Sequence, residues 1–143
     1  MKACTFFGHR VCPYEKSNVV WKKIEELIAY EGVTCFYVGC HGEFDAIVRG
    51  VLKQLKKKYP QIRYYIVLAY MPGENNNHCG EDTILPSGIE NIPKKFAISY
   101  RNQWMIEQSE YVITYVTHSF GGAAQFEAMA QKKGKRIIKI SLS

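Results

Sequence analysis

Apolar residues in this chain fall into two alternating kinds of segment. Some form short unbroken runs; others recur at helical spacing through longer polar stretches. The runs are KACTFF at 2–7, VTCFYV at 33–38, IRYYIVLA at 62–69, YVITYV at 111–116 and RIIKIS at 136–141. Short runs without polar alternation predict strands buried on both faces. Within 15–31, Val20, Ile24, Leu27 and Ile28 share one helical face, and Glu31-Gly32 stops the pattern. Phe44, Ile47, Val48, Val51, Leu52 and Leu55 make one continuous stripe, predicting a helix that ends at Tyr59-Pro60. Two more helices are predicted, near Ser99 to Ser109 and from about Gly121 to Lys133.

Helices between doubly buried strands argue for a parallel sheet covered on both sides. The expected fold is a Rossmann-like three-layer α/β/α domain over residues 1–143, with a mainly parallel sheet of about five strands. The segment 71–97 breaks the rhythm. It holds three Pro and three Gly, and Gly73 to Pro93 carries four acids and no base. A structureless stretch of that length is usually a lid or an excursion. An extra edge strand inside it stays open, and Asn75 to Glu81 is expected to close over a site.

Composition narrows the class. The chain has 143 residues, 47% hydrophobic and 22% charged, which excludes collagen-like and mostly disordered readings. No apolar run approaches the length of a membrane helix, and the N-terminal run is too short for a signal peptide. A cytoplasmic protein without membrane attachment is expected. Five cysteines and no Cys-x-x-Cys pair argue against disulfides and structural zinc. A zinc or thiol-nucleophile site from Cys40-His41 and His78-Cys79 is weighed and set aside, because strand-end Cys and loop His are common.

The net charge of +6 is uneven. Residues 1–72 carry eleven bases against six acids; residues 73–143 carry eight against seven. The cluster Lys53, Lys56, Lys57 and Lys58 falls on a helix tail, where cations are favourable anyway. Other bases gather at Lys132 to Arg136, away from the strand ends. Nucleic acid is therefore disfavoured as a partner, and the bases that matter are Arg10 and Arg101.

In parallel sheets, ligands bind beyond the carboxyl ends of the strands. Here those ends read Gly8-His9-Arg10, Gly39-Cys40-His41-Gly42-Glu43 with Asp45, Tyr70-Met71-Pro72-Gly73, and Thr117-His118-Ser119-Phe120-Gly121-Gly122. Glycines allow tight turns, following helix amides point at anions, and Arg10 offers a planar donor fork suited to phosphate. No P-loop, no G-x-G-x-x-G and no G-x-S-x-G is present. Arg101 and Asn102 are expected to open a helix, with Asn102 as a cap. Trp21, Trp104 and Phe120 are read as core or interface residues rather than base-stacking groups.

Thr5-Phe6-Phe7-Gly8-His9-Arg10, Val38-Gly39-(x)2-Gly42-(x)2-Asp45, Arg101-Asn102-(x)2-Met105 and Thr117 through Gln125 occur in this order. Together they resemble the SLOG (SMF/DprA–LOG) superfamily, and within it the small YpsA-related bacterial group. The resemblance covers nearly the whole chain. It implies a Rossmann-like core that takes nucleotides or nucleotide-derived ligands at the crest. It is similar in its second half to LOG enzymes, which release a free base and ribose phosphate from nucleoside monophosphates. Their signature is P-G-G-x-G-T-x-x-E, preceded by an Arg-Lys pair. Thr117 stands at the Pro, His118 and Ser119 at the first two Gly, Gly121 at the next Gly, Gly122 at the Thr and Gln125 at the Glu. Arg101 falls on the Arg, and Asn102 replaces the Lys.

Gln125 cannot carry the negative charge that a carboxylate supplies in glycosidic cleavage. Glu127, two positions on, points about 200° away around a helix. The resemblance thus implies a ligand-binding set: Gly8, His9, Arg10, Gly39, Gly42, Arg101, Asn102, Thr117, His118, Ser119, Gly121, Gly122 and Gln125. The expected function is a sensor or sequestering module for a nucleotide or nucleotide-derived ligand. The first alternative is a nucleotide N-glycoside hydrolase or transferase, of LOG or deoxyribosyltransferase type, using Glu43, Asp45 and Arg101. The second is single-stranded nucleic-acid binding as in DprA. No cofactor and no metal are expected, and a homodimer is expected by analogy.

Overall fold

Strand β1 (Lys2–Gly8) forms the centre of a six-stranded sheet. The computed structural model describes residues 2–70 and 82–140. After β1, a short 3-10 helix (Tyr14–Lys16) leads into α1 (Ser17–Glu31), then β2 (Val33–Val38), α2 (Gly42–Lys58) and β3 (Arg63–Val67). The chain continues with β4 (Thr83–Ile84), a 3-10 helix (Ile89–Asn91), α3 (Lys94–Gln108), β5 (Tyr111–Tyr115), α4 (Gly122–Lys132) and β6 (Arg136–Lys139). The strand order is β4-β3-β2-β1-β5-β6, and every pairing is parallel.

The two faces of the sheet follow from the alternation of side chains along each strand. On one face Cys4, Phe6, Phe36, Val38, Ile113 and Tyr115 pack with the stripe of α2 and with Val20, Ile24, Leu27 and Ile28 of α1. On the other, Phe7, Val67 and Val112 meet Met105 and Ile106 of α3 and Phe126 and Ala130 of α4. Helices thus cover both faces, as a Rossmann-like α/β layer requires. Gly32 ends α1 in the left-handed conformation, at φ 72°. No helix among the described residues is long and apolar enough to cross a membrane.

One element answers what the sequence left open, and one differs from the sequence reading. The sheet has six strands, because Thr83 and Ile84 pair with Ile66 and Val67 as a short edge strand inside the long loop. Helix α3 starts at Lys94 rather than near Ser99, with Pro93 in the capping position. Proline fits a helix start, since an amide there has no helical acceptor. The lid expected from Asn75 to Glu81 lies outside the described residues, as do His78 and Cys79.

Candidate functional site

The strand order turns back at β1, which has β2 on one side and β5 on the other. The chain leaves β1 and β5 toward opposite faces of the sheet, so their loops part and leave a crevice. A cleft of about 350 Å³ opens there, lined in part by Phe6, Phe7 and Gly8 of β1, His9 and Arg10 after it, His41 and Asp45 after β2, and Gly122 and Ala123 at the start of α4. Its remaining wall is α3. Ile98, Arg101, Asn102 and Met105 line it together. They stand at i, i+3, i+4 and i+7, one face of the helix.

Starting α3 at Lys94 moves Arg101 and Asn102 well inside the helix. Asn102 is therefore not a cap. Its Oδ1 accepts Arg101 Nε–H at 3.0 Å. Arg101 is 3% exposed. Its Nη1 lies 3.1 Å from His41 Nδ1 and 3.5 Å from the carbonyl oxygen of Val67. Asp45, in the first turn of α2, accepts the His41 backbone N–H at 3.1 Å. Burial raises the Asp45 carboxyl to about 6, against the opposing pull of Arg101 and the His41 N–H. Burial likewise lowers Arg101. His41 is lowered by burial and then by Arg101, Arg10 and Arg49. Arg101 touches the imidazole directly, and Arg10 and Arg49 add to its effect.

Gly39 explains how Asp45 and Arg101 come together. A Cβ placed there would stand 2.7 Å from Asp45 Oδ2 and 3.1 Å from Arg101 Nη1. Gly8 has the same kind of constraint, because a Cβ would sit 2.2 Å from the ring of Phe44. Gly42 adopts φ +89° and packs its open side against the backbone of Arg10. Two loops are thereby pressed together. Glu43 secures them further: its N–H donates to the Arg10 carbonyl at 2.7 Å, and its Oε2 accepts Cys12 N–H at 2.7 Å. The Glu43 carboxylate is thus engaged on the loop and does not line the cleft.

The loop after β5 forms the rim. His9 Nε2 accepts the Thr117 N–H at 2.7 Å. Thr117 Oγ1 lies 3.1 Å from His118 Nδ1. Gly121 stands at φ +93° and ψ 174°, a conformation open almost only to glycine, and α4 starts there with no side-chain cap. Ser119, Thr117, His118 and Gly121 are exposed and lie outside the cleft lining. Gln125 is exposed as well. Glu127 faces the sheet, where its carboxylate accepts the Thr114 hydroxyl. Phe120 is 71% exposed, not part of any core, while Trp104 packs edge-on against Tyr37 at 5.2 Å. Among the described residues, no group of three or more His, Cys, Asp or Glu is placed to hold a metal. Cys4, Cys12, Cys35 and Cys40 are free thiols.

No family model and no curated protein sequence matches the chain. Its fold is similar to that of DNA processing protein A (DprA) from Streptococcus pneumoniae, known from an X-ray structure. The TM-score is 0.73 at 18% identity, over 100% of this chain and 51% of that one. The likeness is one of fold, and the chain spans about half the length of its structural neighbour.

That neighbour overturns the expectation that disfavoured nucleic acid as a partner, since the whole chain superimposes on part of a DNA processing protein. The expectation rested on where the lysines fall. The fold adds Arg49, whose Nη1 reaches the Gly39 carbonyl at 3.4 Å, beside the cleft that Arg10 and Arg101 line. His41, Ile98 and Met105 were absent from the expected set of site residues. The signal for two of them was the spacing 98, 101, 102 and 105, which becomes visible once the helix begins at Lys94.

Proposed function

We propose that the chain binds a nucleotide, or a nucleotide-derived anion, in the cleft beside β1. The observation that carries this reading is the buried Arg101 guanidinium, held by Asn102 at the cleft wall with Arg10 on the rim. A guanidinium fork suits phosphate geometry. The first amides of α4, which begins without a side-chain cap, add donors and a favourable dipole end. Ile98 and Met105 offer apolar surface for the remainder of the ligand. The SLOG-like motif order and the YpsA-related placement support the same reading. The test is titration calorimetry with ribose 5-phosphate and AMP, paired with mass spectrometry of small molecules released on denaturation. Arg10→Ala, an exposed change, is expected to weaken both probes about tenfold, as loss of a charge-assisted contact does. Absence of binding at millimolar probe, with no released nucleotide, would reject the reading.

A second reading is single-stranded nucleic acid, favoured by the likeness to a DNA processing protein. Binding would then weaken steeply with salt, by an amount that counts the phosphates neutralised. Hydrolysis of an N-glycosidic bond is supported by Asp45, a cleft carboxyl held near pH 6 where a general acid or base works well. Base release from a panel of nucleotides, abolished by Asp45→Asn, is its measurement.

A further inference from the structure

The rings of His9, His118 and Phe120 form a column at the crest. His9 and His118 stack with centroids 3.8 Å apart and planes 5° from parallel. Phe120 continues the column, 4.1 Å from His118 at a tilt of 33°. Tyr115 meets the His9 ring edge-on at 6.1 Å, so the inner end is held from the side as well.

The two ends of the column differ. The inner end is fixed, because His9 Nε2 accepts the Thr117 N–H, which orients the ring and requires its lone pair. The outer end is open, with Phe120 71% exposed. An exposed aromatic ring ordered by stacking, at the mouth of a polar cleft, is not explained by folding: it buries little area and its outer surface meets water. The column is also continuous with the cleft, because His9 lines it.

We propose that the His9–His118–Phe120 column is a stacking platform for the base of the nucleotide whose phosphate the arginines hold. This rests on the nucleotide reading above and adds the part of the ligand that phosphate recognition leaves undefined. Stacking on a ring face tolerates every base, so the platform recognises a planar heteroaromatic ring rather than a sequence. A free nucleotide and a nucleotide within a single strand present the same chemistry to it.

The experiment uses the full chain and three probes: ribose 5-phosphate, AMP, and a deoxyadenylate strand of about twelve nucleotides. Phe120→Ala is expected to weaken AMP and the strand about tenfold, while ribose 5-phosphate, which has no base, changes less than about twofold. Phe120→Tyr, which keeps a ring, is expected to restore AMP binding. A 2-aminopurine nucleotide is expected to be quenched on binding the unaltered chain and quenched less by Phe120→Ala. Equal loss for AMP and ribose 5-phosphate, or no loss for either, would overturn the platform while leaving the nucleotide reading standing. Failure of all three probes to bind the unaltered chain would remove both. Salt dependence of the strand then decides between the two sources of the base: a steep slope assigns the platform to a strand, a shallow one to a free nucleotide.

Discussion

His9 Nε2 accepts the backbone N–H of Thr117 at 2.7 Å, tying the loop after β1 to the loop after β5 across the point where the strand order turns back. An imidazole protonated at both nitrogens cannot accept, so the tie exists only while Nε2 is bare. Burial, and then His118, place the His9 pKa below its ordinary 6.5. A base lowered on folding contributes stability that is complete above the unfolded value and lost as pH falls through the folded one. The Thr117 amide shift is therefore expected to stay constant near neutral pH and to move below about 6.5, together with the His9 ring signals. A Thr117 shift that ignores the His9 titration would break this assignment.

Asp45 works with the opposite sign. Its carboxyl is raised from 3.8 to about 6, so the folded chain holds a proton that the unfolded chain has released. Its contribution is fully present below about 4 and lost as pH rises through about 6, by up to ~3 kcal/mol. Asp45→Asn keeps an acceptor for the His41 N–H and removes the ionisation. In chemical denaturation the variant is expected to gain on the unaltered chain as pH goes from about 4 to 7. An anion in the cleft would raise Asp45 further, so phosphate-bearing ligands are expected to bind more tightly at about pH 5.5 than at 8.

Gly39→Ala separates the site from the fold. Its Cβ would press on the Asp45 carboxylate and the Arg101 guanidinium, side-chain ends that are able to shift. Gly8→Ala would press on the Phe44 ring in the core. Ligand affinity is expected to fall for Gly39→Ala with a stability loss of about 1 kcal/mol, while Gly8→Ala costs about 1–3 kcal/mol as an overpacked core does. Calorimetric binding and urea unfolding of the two variants check the contrast.

The lysine run on α2 has a structural task. Lys56 Nζ donates to the carbonyls of Pro60 and Ile62, and Lys58 pairs with Glu25 at 2.6 Å. Lys56→Met is expected to cost about 1 kcal/mol in unfolding and to leave ribose 5-phosphate affinity unchanged. A drop in affinity without a drop in stability would place this helix tail in the binding surface.

The stripe from Phe44 to Leu55 was legible because the inward positions of α2 are apolar apart from Asp45, which lines the cleft, and the helix is long. The start of helix α3 was not, and for a reason tied to the site. Its inward face carries Arg101 and Asn102 between Ile98 and Met105, so the periodicity that marks a buried face is interrupted where the cleft needs polar groups. Strand β4 has only two residues, too few for any alternation to register. The polar crest itself could be read, because glycines and histidines follow the strands in order. The His9–His118–Phe120 column could not, since rings more than a hundred positions apart meet only once β1 and β5 are neighbours.

That neighbour relationship has a consequence for biosynthesis. Cys4 of β1 pairs with Tyr111 of β5, whereas its partner on the other side, Phe36, lies much closer in the chain. On the ribosome β1 gains β2 early, but its second edge has no mate until the chain has been extended past Tyr115. The second edge of β1 is thus an open border until Tyr115 has been made, and Phe7, which α3 and α4 cover in the finished sheet, has no cover on that face until then. This is the interval in which the nascent chain is most open to pairing with the wrong strand.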